Sequence, residues 1–336
     1  MASPVCQEKD MKFTNQYGLL RPLARALAND DYVHHGDFSL TELLKPPQMV
    51  QQLRRHNDKV VVEIMNNVWS LMGRAMHYVM SLASIKGAFI EERFIFVLNG
   101  KQISCQSDYV YPIQDFVDGK WVDRLVDEQR VYGLIDHKNT SHHAVRDGVK
   151  KEWEEQINGY IYAWKQRGIN ITEAHIAAFL RDWSYTDAVV IKKHGYPEHP
   201  IVQVPVPIWP MAKTEAFLEH RLRLHLEAAQ LGDRDIPECT LEERWGKPDR
   251  FALLFVDGKS KGNVVPRHGF YRSRVEADHQ NEIRREKARL QNGEFKKGFI
   301  DAEPQFFKGT SIRCDRYCDA KPFCPQYART NRKRPF

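Results

Sequence analysis

The chain holds 336 residues, 42% of them hydrophobic and seven of them Trp, enough for one large domain or two ordinary ones around a buried core. Its 50 Lys and Arg against 44 Asp and Glu leave a net charge of +6, a balance that suits a polyanionic partner without requiring one. The opening Met1-Ala2-Ser3-Pro4-Val5-Cys6 lacks the order of a secretory signal, no apolar run is long enough for a bilayer, and six cysteines are too sparse for a secreted disulfide scaffold, so the expectation is a cytoplasmic protein with no membrane partner.

In chain order, residues 1–56 read as an N-terminal helical extension. Leu43-Leu44-Lys45-Pro46-Pro47 closes one segment, and residues 48–55 read as a short helix with proline at its first turn. From Asp58 to about Ala83, Val61, Ile64, Val68, Leu71, Met72, Ala75, Val79 and Leu82 recur at three- and four-residue steps, which predicts one long amphipathic helix. The period then falls to two. Residues 93–98 and 102–110 flank Asn99-Gly100, the preferred two-residue hairpin connection, and residues 130–138 form another strand. A helix over 149–167 carries Trp153, Ile157, Tyr160, Ile161 and Trp164, and strands near 174–181 and 201–206 alternate with a helix over 213–229. This alternation over 57–231 predicts an α/β core, a mixed central sheet flanked by helices. Composition shifts at Gly232-Asp233-Arg234-Asp235-Ile236-Pro237. Beyond it, residues 251–256 with the Gly258-Lys259-Ser260-Lys261-Gly262 stretch suggest a hairpin and 276–290 a charged helix, so 232–336 reads as a small C-terminal α+β module. It ends in a basic cluster, 329–334, a solvated tail able to touch phosphate.

An Asp-x-Lys pattern occurs at Asp10/Lys12, Asp118/Lys120, Asp136/Lys138, Asp257/Lys259 and Asp319/Lys321, so the tripeptide alone selects nothing. Only Asp136 and Lys138 end an apolar strand, where a period of two puts both side chains on one face and turns His137 away. Phosphodiester hydrolysis needs hard oxygen ligands for Mg²⁺ or Mn²⁺, a nucleophilic water, and a cation to orient it or steady the developing charge. Asp136 and Lys138 supply two of these, and Asp108, ending the preceding hairpin strand, supplies a second carboxylate. His142-His143 follows the strand in a turn and reads as loop polarity, or at most a phosphate contact.

Gly73-x-x-x-His77 before this group and Gln156-x-x-x-Tyr160 after it each put their members on one helix face. The order Gly73…His77, Glu91 or Glu92, Asp108, Ile135-Asp136-His137-Lys138, Gln156…Tyr160 resembles the RecB-like branch of the PD-(D/E)XK nucleases over roughly residues 57–164. The resemblance implies a restriction-endonuclease-like core and a metal-dependent DNA nuclease. In it His77, Asp108 and Asp136 would be metal ligands and Lys138 the water-orienting base, with Gln156 and Tyr160 supporting the site and touching the strand. Glu91 and Glu92 read equally as strand-start charges or as a distal ligand and stand outside the catalytic set. From about Pro46 to Gln326, with Arg181-Asp182-Trp183-Ser184 and a cysteine tail, the chain also resembles nuclease-like proteins of tailed bacteriophages. That implies an exonuclease acting on linear or single-stranded ends in phage DNA replication, recombination or host-DNA degradation, in the bacterial host cytoplasm, beside a recombination or single-strand-binding protein. A non-catalytic DNA-binding protein of the same fold, and an RNA nuclease or nickase, remain alternatives. No Gly-x-x-x-x-Gly-Lys-Ser/Thr loop is present, so no helicase accompanies the core.

Cys314-x-x-x-Cys318-x-x-x-x-x-Cys324 gathers three thiols in a short loop, and Cys239 at the start of the module is the candidate fourth. Four thiolates fit zinc or an iron-sulfur cluster alike. The resemblance implies the iron-sulfur cluster, although the three residues between Cys314 and Cys318 depart from the usual two, and the first cysteine there normally precedes the core, where only Cys6 stands. Cys105, inside a strand, reads as a small buried hydrophobe.

Overall fold

A computed structural model describes residues 12–29, 35–266 and 268–331; Cys6 and the end of the basic cluster lie outside the described residues. The chain divides into two compact units, the first ending at Pro237 and the second starting at Glu238.

In the first unit the order is β1 (Lys12–Thr14), α1 (Arg21–Ala28), β2 (Phe38–Ser39), α2 (Leu40–Leu43), α3 (Pro47–His56), β3 (Val61–Glu63), α4 (Val68–Ser81), β4 (Phe89–Ile90), β5 (Arg93–Leu98), β6 (Lys101–Gln106) and β7 (Tyr109–Pro112). Then follow β8 (Gln114–Val117), β9 (Lys120–Asp123), β10 (Leu125–Val126), β11 (Gln129–Thr140), α5 (Lys151–Gln166), β12 (Asn170–Leu180), β13 (Ile201–Pro205) and α6 (Met211–Gln230). The fold is α/β. Its central sheet runs β13-β12-β11-β7-β4 and is mixed: β11 and β12 are parallel, the other pairings on this path antiparallel. A crossover connection separates the parallel pair, and α5 fills it, burying Ile157, Tyr160, Ile161 and Trp164 in one cluster with Leu134 and Ile176.

Two sequence expectations change here. The helix expected from Asp58 begins only at Val68, because Val61–Glu63 pair in parallel with Lys12–Thr14 and residues 64–67 make a 3₁₀ turn. β-Branched Val60, Val61 and Val62 favour that extended start, and Val62 is buried there. The expected strand over 102–110 is two strands in different sheets: β6 pairs with β5 and β2, β7 with β11 and β4, and the chain breaks at Ser107-Asp108. Ser107 Oγ accepts a 2.8 Å bond from the Trp164 indole N–H, which anchors the break in the core. The Asn99-Gly100 turn between β5 and β6 has both residues at positive φ, 47° and 75°, as a hairpin turn of this type requires.

The second unit contains β14 (Gly246–Lys247), β15 (Arg250–Phe255), α7 (Arg274–Ala288), β16 (Ala302–Phe307), β17 (Thr310–Ser311), α8 (Ile312–Arg316) and α9 (Pro325–Asn331). β15 pairs along its length with β16, and on its other side the chain turns back after residues 258–262, Phe255 N–H donating to the Asn263 carbonyl at 3.1 Å and Val265 N–H to the Leu253 carbonyl at 2.9 Å, so the expected turn back onto 251–256 is present as well. Leu253, Val265, Tyr271, Ala277 and Ala302 form its core.

Candidate metal centre

The site sits where β11 loses a neighbour. β12 accompanies β11 to Thr140, but β7 accompanies it only over Tyr132–Ile135. The next amide facing that side, at His137, would be unpaired, and Asp108 Oδ2 accepts it at 2.6 Å. The bond fixes a carboxylate only 8% exposed at the edge of β11. On the face of β11 that α5 covers, Lys138 Nζ lies 2.6 Å from Asp136 Oδ2, and Asp136 is buried. Lys138 Nζ donates to Gln156 Oε1 at 3.1 Å, and Gln156 Nε2 donates to the Tyr160 hydroxyl at 2.7 Å. The four-residue step on α5 thus makes one chain of contacts reaching back to Asp136.

His137 differs from the expectation that it turns away from the site. It does leave the Asp136 face, but the opposite face meets α4, and its ring stands edge-on to that of His77 with centroids 6.0 Å apart. His137 Nδ1 is 3.5 Å from Asp108 Oδ2, and His77 Nδ1 is 3.5 Å from Asp108 Oδ1. Among the described residues, His77, Asp108 and His137 form the group whose ligand atoms all lie within 4.8 Å of one another. Glu91 is the residue that sequence reasoning left aside. Its Oε1 is 2.9 Å from His77 Nδ1, its Oε2 accepts from Gln106 Nε2 at 3.1 Å, and its own N–H donates to the Asp108 carbonyl at 2.9 Å. It holds φ at 50°, uncommon for a residue with a side chain, which this web of contacts over-determines. Glu92 instead pairs with Arg167.

The electrostatics divide the two aspartates. Burial, only partly offset by the Lys138 charge and reinforced by Asp108, pushes Asp136 up to about 6. Burial also acts on Asp108, but the His137 side chain and N–H and the neighbouring His77 and Lys138 charges outweigh it and hold this carboxyl below its usual range. The bond to Glu91, against burial and aided by Asp108, raises His77. Burial first, then Asp136, keeps the Tyr160 phenol far above its usual range. Asp136 Oδ2 is buried against Lys138 Nζ, and His137 Nδ1 is buried with Asp108 Oδ2 3.5 Å away. The Asp108 carboxylate with the His77 and His137 imidazoles is a donor set that fits a divalent cation, and Asp136, paired with Lys138, lies outside that group. A cavity of about 380 Å³ opens beside them, lined by His77, Glu91, Asp108 and Tyr160 with Arg74 and Arg93.

The remaining flagged residues separate from this centre. His142 N and Nδ1 both contact the Asp182 carboxylate, at 2.8 and 3.0 Å, so this pair ties the segment after β11 to the segment after β12. In the second unit, Gln326 clamps Cys239 from both sides, accepting its N–H at 3.1 Å and donating to its carbonyl at 2.8 Å. That clip joins the start of the module to α9 through an amide. Burial pushes the Cys239 thiol up to about 12, with Glu243 and the other three cysteines adding to it, and burial pushes Cys318 up to about 11. The thiols therefore sense one another, yet among the described residues they form no set of ligand atoms within 4.8 Å. As placed they do not form the expected four-thiolate cluster. Cys105 is buried in β6, as a small hydrophobe.

No family model and no curated protein matches the chain. Among solved structures, one titled "Crystal structure of SSO0001" is similar at 14% identity and a TM-score of 0.38, covering 60% of this chain and 84% of that one, a likeness too small to carry an argument. No helix among the described residues is long and apolar enough to cross a membrane.

Proposed function

We propose that the protein is a metal-dependent DNA nuclease of the PD-(D/E)XK kind, acting as an exonuclease in phage DNA replication, recombination or host-DNA degradation. The observation that supports the reading is the closeness of His77, Asp108 and His137, with Asp108 bonded to the His137 N–H and the Asp136–Lys138 pair on the residues either side of His137. His77, Asp108 and Asp136 would hold the ion, and His137 Nδ1 offers a further donor. A bound Mg²⁺ or Mn²⁺ supplies Lewis acidity to a phosphodiester oxygen and lowers the pKa of a water ligand. Lys138 orients the attacking water and offsets charge developing on phosphorus, and the Gln156 amide, fixed at its other end by Tyr160, keeps the ammonium in place. Imidazole donors favour Mn²⁺ over Mg²⁺, since Mg²⁺ prefers an all-oxygen shell.

The test is digestion of end-labelled linear and closed-circular DNA with Mg²⁺ or Mn²⁺, set against Asp136→Ala. Loss of linear DNA alone, abolished by the substitution, supports an exonuclease; cutting of the circle reassigns it as an endonuclease or nickase. A parallel RNA substrate decides between nucleic acids. DNA retained but uncut with either metal hands the case to a non-catalytic DNA-binding protein.

A further inference from the structure

The positive charge of this chain is not spread evenly. Residues 238–336 carry 22 Lys and Arg against 14 Asp and Glu, a formal +8, whereas residues 1–237 carry 28 against 30, a formal −2. The whole basic excess belongs to the second unit, which holds none of the proposed cleavage residues. Within that unit a cavity of about 300 Å³ is lined by Arg244, Lys247 and Lys308 together with the hydroxyls of Thr310 and Ser311. The cavity exists because β14 and β17 pair through Gly246–Ser311 and Lys247–Thr310, which sets Lys247 beside the Lys308-Gly309 turn. Arg244 donates to Ser311 Oγ at 2.8 Å, while its Nε is buried and meets no acceptor. Of the two carboxylates lining the cavity, Asp249 is already engaged by the Gly309 N–H at 2.6 Å. An anion with several oxygens suits the three cations and the Thr310 and Ser311 hydroxyls of this wall, which outnumber its two carboxylates.

A second feature adjoins it. Trp245, the residue after Arg244, is 39% exposed and meets Tyr317, 55% exposed, edge-on at 5.4 Å, while the Arg313 guanidinium covers the Trp245 ring at 4.2 Å. Arg313 N–H donates to the Arg244 carbonyl at 3.1 Å, so the aromatic pair and the cationic cavity are built on one piece of backbone. The exposed Tyr317 ring and the partly exposed Trp245 beside a cationic cavity form the pairing used on single strands, where bases stack and the backbone is neutralised.

We propose that the second unit carries a binding site for single-stranded nucleic acid, with a backbone phosphate in the Arg244, Lys247, Lys308 cavity and a base against Trp245 and Tyr317. This site is separate from the centre on β11 and does not rest on the cleavage reading. A duplex, whose bases are stacked on one another, presents no free face to the aromatic pair and takes only the phosphate contact.

The full chain is titrated in EDTA, so that nothing is cut, into a labelled oligothymidylate of about 16 nucleotides and into a blunt duplex of the same length. Lys247→Ala/Lys308→Ala alters two exposed side chains, and Tyr317→Ala an exposed ring. The expected result is roughly tenfold weaker oligothymidylate binding for Tyr317→Ala, with duplex binding unchanged. For the double lysine variant the slope of log affinity against log salt falls by about 0.7, the share of the one phosphate held in the cavity. Wild-type oligothymidylate affinity in both variants overturns the site. A loss confined to the lysine variant overturns the single-strand assignment, leaving a bare phosphate contact. Because metal is absent, failure of cleavage in the digestion test leaves this outcome unaffected.

Discussion

At the residue scale, the division of labour between the two aspartates gives the sharpest expectations. Replacing Asp136 by Asn removes a charge from the proposed ion and from Lys138, so cleavage should fall by about 10³-fold or more while binding in EDTA persists; a variant that cuts at the wild-type rate ends the assignment. Glu91 acts through His77. Glu91→Gln should raise the Mn²⁺ concentration for half-maximal cleavage by about 10- to 100-fold, with little change in the rate at saturating metal. His225 makes a separate prediction about stability. It is fully buried, one ring nitrogen bonded to the Leu43 carbonyl at 3.0 Å and the other unsatisfied, and burial lowers its pKa to about 4. Because the folded value lies below the unfolded one near 6.5, the unfolded chain takes up the proton first. The stability tied to neutral His225 is complete above pH 6.5 and drains away as pH falls toward 4, an upper limit of about 3 kcal/mol. Denaturation midpoints measured across that window should fall, and His225→Gln should flatten the dependence.

At the scale of elements, regular segments were legible from the sequence and breaks were not. The hairpin turn at Asn99-Gly100 is fixed by local backbone preference, and α5 by the spacing of Ile157, Tyr160, Ile161 and Trp164, so both could be read from a few neighbouring residues. The division at Ser107-Asp108 depends on Trp164 and His137, 57 and 29 residues away, which no local pattern encodes. For the same reason the Asp136–Lys138 pair, two residues apart on one strand face, could be read from the sequence, whereas the approach of His137 and Glu91 to Asp108 could not: it depends on contacts between distant segments. The pairing of β14 with β17 is equally non-local, and it turns on Gly309. A methyl there would run into the Lys247 carbonyl oxygen and lie 3.0 Å from both Asp249 N and Pro248 C, backbone atoms with nowhere to go. Gly309→Ala should destabilise the second unit by about 1–3 kcal/mol and weaken oligothymidylate binding, as read by denaturation and titration of the same preparation.

At the scale of the molecule, the two units bring very different cores. Among the described residues the first buries 25 apolar residues in one cluster and the second five, so the second should unfold first. Urea titration should resolve two transitions, the earlier with the smaller denaturant slope. Leu253→Ala should move the early one and Leu134→Ala the late one, each by about 2–5 kcal/mol; a single transition displaced by both would show that the units unfold as one. The partition of charge also bears on how the protein behaves in the hand. Retention on heparin or a cation exchanger reports on residues 238–336, because the first unit is slightly acidic. A fragment ending at Pro237 should pass through such a column whether or not it cuts DNA, and its flow-through would be the wrong place to conclude that the activity has been lost.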